Sequence, residues 1–261
     1  MTTSPSGPPA MVAGGAGRHY ASEAVVRLGD VLPSGEVRLD AVARYLQDAA
    51  SDDAVDAGVD RYLAWVVRRT ALTIRRRPRY RDRLELVTWA AGTGSRWAER
   101  RTTISVGGDV AVDAAALWVC VNPATLRPAR LDPRFWAVYG ESAGTRTVSS
   151  RLRHPEPPAG TAAGPRTWPL RLADLDVLDH VNNAAVWMAV EDEVSVLAPA
   201  RRIHWAELEY RTPIERDANV TVAGRIEPAG ARVWLLDNEA VLASAVIGFV
   251  PVDGTAGDKP D

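Results

Sequence analysis

"RRPRYRD", residues 76–82, and "RTPIERD", residues 211–217, carry four identities in one frame. Arg76, Pro78, Arg81 and Asp82 recur as Arg211, Pro213, Arg216 and Asp217, an offset of 135 residues. The same offset lays "YLQDAA" (45–50) over "HVNNAA" (180–185) without a gap. Two blocks in one frame indicate a duplicated unit. That frame sets Tyr45 opposite His180 and Ala41 opposite Asp176. Between the copies, "GESAGTRTVSSRLRHPEPPAGTAAGP" (140–165) is rich in Gly, Pro, Ser and Thr and reads as a linker.

Each half repeats one order of elements. A strand near 19–28 or 167–173 precedes a loop and a helix, near 39–51 or 180–196. Four strands follow: "LAWVVRRTALTIRR", "DRLELVTWAAG", "RWAERRTTISVG" and "DVAVDAAALWVCV", then in the second half "RRIHWAELEYR", "NVTVAGRIE", "ARVWLLDN" and "EAVLASAVIGFV". Alternation in "LELVTW" and "HWAELEY", with turns at "VGGD", "PAGA" and "DNE", predicts hairpins. One helix followed by a meander, without regular βαβ alternation, predicts an α+β fold with antiparallel sheets. The helix must bury its apolar stripe on the concave face. The expected architecture is a tandem, or double, hot-dog: two antiparallel sheets, each wrapped around a long central helix, packed as a pseudo-dimer with the sheets continuous or side by side. The expected organisation is a tail (1–17), an N-terminal unit (18–139), the linker (140–165), a C-terminal unit (166–252) and a second tail (253–261).

Composition narrows the function classes. Of 261 residues, 46% are apolar and 25% charged, and the net charge of −2 gives no field that would gather nucleic acid or anionic membrane. The single cysteine excludes a disulfide framework; Cys120, in "ALWVCV", reads as a buried thiol. The start "MTTSPSGPPAMVAGGAG" has no charged n-region or long apolar run, and no stretch is long enough to span a membrane. A cytoplasmic protein without a membrane span is expected. No metal-ligand spacing, Walker loop or dinucleotide fingerprint is present, so no cofactor or metal is expected.

"LAWVVRRTALTIRRRPRYRDRLELVTWAAG", "LWVCVNPATLRPARL" and "LADLDVLDHVNNAAVW" resemble the fatty acyl–acyl carrier protein thioesterases of plants and bacteria, over roughly residues 18–250. The resemblance implies a double hot-dog that hydrolyses fatty acyl thioesters in fatty acid biosynthesis. It places the chemistry in the second half. With Tyr45 opposite His180 and Ala41 opposite Asp176, the first half cannot perform that chemistry, so one site per chain is expected, with the first half binding the acyl chain. The implied partner is a thioester on acyl carrier protein or coenzyme A, with the protein a monomeric pseudo-dimer or a homodimer.

The implied site falls in "DLDVLDHVNN" (174–183). Read alone, this is a helix start with Asp179 as N-cap. The chemistry also fits. His180 at a helix N-terminus can take a proton from water, Asp176 can orient it, and unpaired N–H groups near Val181 and Asn182 can polarise a thioester carbonyl. Asn182 or Asn183 can donate to substrate or fix the loop. The plant pattern D-x-N-x-H departs here at Leu178; a later glutamate falls at Pro213 and a neighbouring cysteine at Ile214. Asp192, Glu209, Glu215 and Asp217 are carboxylates that could substitute. The departures keep an alternative open, a catalytically impaired acyl-binding protein of the same fold; a dehydratase is a third.

Other signals are set aside. "GESAG" (140–144) matches a serine-hydrolase elbow but lacks the strand, core helix and parallel sheet that motif needs, although "AVYG" could be a strand. His154, in the same polar stretch, is expected to be solvated. The basic run "RRTALTIRRRPRYRDR" serves either as solvated strand ends or to dock an acidic carrier or pantetheine phosphates.

Overall fold

Strand pairing is continuous from one half to the other. The computed structural model describes residues 7–250 except 9, 11, 13, 63, 123, 126, 159–165 and 229. The first half comprises β1 (Tyr20–Val25), α1 (Leu39–Asp56), β2 (Ala64–Ile74), β3 (Arg83–Thr93), β4 (Trp97–Val106), β5 (Asp109–Val121) and α2 (Pro133–Ala143). The second comprises β6 (Arg166–Thr167), α3 (Asn183–Leu197), β7 (Ile203–Tyr210), β8 (Val220–Glu227), β9 (Gly230–Asp237) and β10 (Ala240–Phe249). Across the sheet the order is β1-β3-β4-β5-β2-β7-β10-β9-β8-β6, so the halves repeat one topology outward from the centre. Of the two expected arrangements the sheets take the continuous one, a single ten-stranded antiparallel sheet joined where β2 meets β7 from Arg69↔Glu209 to Thr73↔Trp205.

Both long helices pack on one face of this sheet and against each other. Leu39, Val42 and Leu46 of α1, at helical spacing, meet Val186, Val190 and Val194 of α3 in a common core with Leu72, Leu208, Val233 and Ile247. Trp187 is fully buried there. Trp65 and Trp118 are only half-buried and line cavities. Among the described residues no helix is long and apolar enough to cross a membrane.

The internal repeat is real in topology, but its frame differs from the one read in the sequence. The 3-10 turns Leu28–Asp30 and Leu172–Asp174, and the helix starts Leu39 and Asn183, are 144 residues apart. Beyond the helices the offset falls to 136: the peptide N–H groups of Arg75 and Arg76 donate to Ala111 O as those of Arg211 and Thr212 donate to Leu242 O. The first half is longer between helix start and strand end, which breaks any single frame. Consequently Tyr45 lies within α1 and is not the counterpart of His180. That counterpart is Glu36, bridged to Arg79 as His180 is bridged to Glu215, and Leu32 takes the place of Asp176.

Three further expectations are corrected. The strand expected over 167–173 shrinks to Arg166–Thr167, because Pro169 cannot donate to a ladder and a 3-10 turn begins at Leu172. "AVYG" is not a strand but part of α2, started by Asp132, whose carboxylate accepts from Arg134 N at 2.8 Å, with Pro133 at the first helical position. α2 runs into the expected linker as far as Ala143, and residues 159–165 of that linker lie outside the described residues, as do 1–6 and 251–261 of the tails. "GESAG" is the end of this helix; Ser142 is buried and its hydroxyl donates to Tyr139 O at 3.1 Å.

Cys120 is buried in β5, and burial pushes its thiol above the ordinary range. Modification by a thiol reagent in native buffer is expected to be slow and to become fast in denaturant; rapid native labelling would contradict this environment.

Candidate active site

The loop before α3 is built by its own polar side chains. Asp176 Oδ1 accepts from the peptide N–H of Leu178 at 2.8 Å and, more weakly, of His180 at 3.4 Å. Asp176 N donates to His180 O at 2.8 Å, closing the loop. Asp179 adopts a positive φ of 62° at its tip and pairs with Arg216, whose Nε lies 2.8 Å from Asp179 Oδ1. Asp179 is thus not the helix cap. That role belongs to Asn182, whose Oδ1 accepts from Ala184 N at 2.8 Å. The cap moves because Val181 N and Asn182 N are tied to Ile214 O and Asp174 O at 2.9 and 2.7 Å, which holds these residues outside the helix.

Those two N–H groups are therefore unavailable to a substrate. The donor left at the helix start is the peptide N–H of Asn183, which makes no hydrogen bond among the described residues. Tyr210 fixes this residue from below: its hydroxyl donates to Asn183 O at 3.0 Å, and burial keeps the phenol far above its ordinary pKa and neutral.

His180, Asp176 and Asn183 border one cleft of about 380 Å³ between the halves. Trp65, Val67, Arg68 and Val119 line it from the first half; Val186, Tyr210, Thr212 and Pro213 line it from the second. Asn182 is turned to capping. Asp192 is not brought to the site: it is exposed, nine residues along α3 from Asn183 and so about 13 Å away at 1.5 Å per residue. The carboxylate that faces the imidazole is Glu215, with Oε2 3.4 Å from His180 Nε2. Glu215 comes within reach through the backbone bridge His180↔Glu215. Glu209 is buried on the opposite face of β7.

No local sequence pattern marks the role of Glu209 there. His154, expected to be solvated, is buried against β7 and β10. Its Nδ1 donates to Ser244 O at 2.9 Å, its Nε2 lies 3.3 Å from Glu207 Oε1, and Glu209 accepts from the peptide N–H groups of Arg153 and His154 at 2.7 and 3.0 Å. Burial would raise the Glu207 carboxyl, but His154, Arg153 and Arg69 outweigh it and hold it below the usual range. His154, Glu207 and Glu209 are close enough to hold a metal ion. Arginines and peptide N–H groups already neutralise the carboxylates, however, so the cluster latches residues 153–154 onto the sheet.

The sequence comparisons agree with this architecture. The profile of the acyl-ACP thioesterase N-terminal domain matches residues 17–139, and that of the C-terminal domain matches residues 161–238. The chain belongs to the acyl-ACP thioesterase family. It is 26% identical over 219 residues to the uncharacterized protein Rv2001 of Mycobacterium tuberculosis, covering 84% of this chain and 87% of that one. It is 25% identical to the dodecanoyl-[acyl-carrier-protein] hydrolase of Umbellularia californica, covering 78% of this chain and 60% of the plant protein. The acyl-[acyl-carrier-protein] hydrolase FATB3 of Cuphea viscosissima, also 25% identical, is covered over 42% of its length. The chain thus spans roughly half of these plant relatives. In fold it is similar to the 12:0-ACP thioesterase of Umbellularia californica, with a TM-score of 0.76, 22% identity and coverage of 90% of this chain and 98% of that one. It is likewise similar to an acyl-ACP thioesterase of Bacteroides thetaiotaomicron, with a TM-score of 0.72, 18% identity and coverage of 89% and 98%.

Proposed function

We propose that the protein hydrolyses fatty acyl thioesters carried on phosphopantetheine, at one site per chain in its second half. The observation that carries this reading is the cleft where His180, the Asn183 N–H and apolar walls from both halves converge. Water on the imidazole side attacks the thioester carbon while the carbonyl oxygen draws on the helix N-terminus. Glu215 faces the ring and can steady its charge as the proton arrives. Asp176 acts through the loop, by holding the peptide N–H groups on either side of Asp179. The first half supplies Glu36 and Leu32 at the equivalent positions and serves the acyl chain instead.

Acyl carrier protein is the proposed carrier, in keeping with the family. Hydrolysis of matched carrier-protein and coenzyme A thioesters tests it directly. Faster turnover on the carrier-protein thioester is expected, and equal or better use of coenzyme A would contradict it. Asp176→Asn is expected to cost less turnover than His180→Ala, because an amide oxygen still accepts from Leu178 N while the base is untouched. The kcat of the two variants, measured side by side, checks this. Binding of fatty acyl ligands without turnover would favour the alternative, an acyl-binding protein that has lost hydrolysis.

A further inference from the structure

The two halves treat their helix starts differently. At the start of α1, the peptide N–H of Leu39 donates to Glu191 Oε2 at 2.9 Å, and Arg77 Nη1 donates to the other oxygen, Oε1, at 2.5 Å. Glu191 comes from the middle of α3, so the helices run antiparallel and each presents its mid-section to the other's first turn. The first half's helix start is therefore filled by a buried carboxylate.

The helix offset of 144 residues maps this pair onto the active half. Leu39 becomes Asn183, and Glu191 becomes Gln47. Gln47 indeed borders the same small cavity as Asn183, Ala184 and Tyr210. That cavity shares Val67, Asn183 and Tyr210 with the His180 cleft. The arginine has no counterpart, since Pro213 follows Thr212 where Arg77 follows Arg76. Gln47 makes no side-chain hydrogen bond among the described residues and is half-buried. One half thus carries a charged plug at its helix start, the other a neutral amide with free N–H donors.

We infer that Gln47 is a substrate-contacting catalytic residue: its side-chain amide N–H joins the Asn183 peptide N–H in binding the thioester oxygen as negative charge develops. The inference rests on the thioesterase reading above. The chemistry favours glutamine over glutamate here. A carboxylate would accept the Asn183 N–H, as Glu191 accepts that of Leu39, and would repel the oxyanion. An amide supplies a donor without charge.

The test is steady-state hydrolysis of a fatty acyl–carrier protein thioester by wild type, His180→Ala, Gln47→Met and Gln47→Glu. Gln47→Met keeps the length of the side chain and the helix but removes the donor. Loss of one oxyanion donor typically costs on the order of 100-fold in kcat. We expect a loss of that order in Gln47→Met with KM near wild type and an unchanged melting temperature. Gln47→Glu, which recreates the plug, is expected to lose at least as much. Wild-type kcat in either variant, or a loss confined to KM, would overturn the inference alone, provided wild type turns over and His180→Ala does not. A wild type inert towards acyl thioesters would overturn the thioesterase reading and this inference with it.

Discussion

His180→Ala is expected to lower kcat on fatty acyl thioesters by about 100- to 10,000-fold, the range for removal of a positioned general base. The fold should survive. His180 is partly exposed, at 25% of its side chain, and lies in a loop whose backbone bonds run through Asp176, Val181 and Asn182. The effect should therefore appear in kcat with little change in melting temperature. If the folded variant hydrolyses as wild type does, the base lies elsewhere, and the pairing of His180 with Glu215 is only structural.

Glu209→Ala is expected to produce the largest loss of stability. Glu209 is completely buried and accepts from the peptide N–H groups of Arg153 and His154, in the irregular segment that lies on the outer face of β7. Removing it leaves these donors, and the positive charge of Arg68 nearby, without the compensation they had in the fold. Breaking a buried charged network by deleting one member costs about 3–5 kcal/mol. Denaturant unfolding monitored by tryptophan fluorescence should show it, and a change below about 1 kcal/mol would contradict a buried latch. The neighbouring Glu207 sets the pH sense of the same latch. Its carboxyl is held below the usual range, so it contributes stability at neutral pH, and that contribution is lost as pH falls through its folded-state range.

The sequence made the strands legible wherever apolar and polar residues alternate, as in "LELVTW" and "HWAELEY", and it made one helix per half legible. It also brought His180, Asp176 and Asn183 to the start of the second helix, where they border the cleft. The frame that residue identities suggest is not the spatial one, for a physical reason. Thirty-six residues separate Leu39 from Arg75 but twenty-eight separate Asn183 from Arg211, so identities in "RRPRYRD" and "YLQDAA" matched by residue type at positions that are not spatially equivalent. Asp192 is near the loop in sequence, yet helix rise carries it away from it. Glu215 was one of several neighbouring carboxylates until the backbone bridge singled it out. The His154–Glu207–Glu209 latch was not legible, because it joins a linker histidine to strand residues more than fifty positions away and no local pattern records that contact.

Hydrolysis of a fatty acyl–carrier protein thioester in isotopically labelled water, with thiol and fatty acid measured together, tests the central claim most directly. Wild type should release thiol and fatty acid in equal amounts, with solvent oxygen in the new carboxylate, and His180→Ala should release neither at a comparable rate. Acyl thioester that binds but stays intact, or equal release by both proteins, would contradict the account.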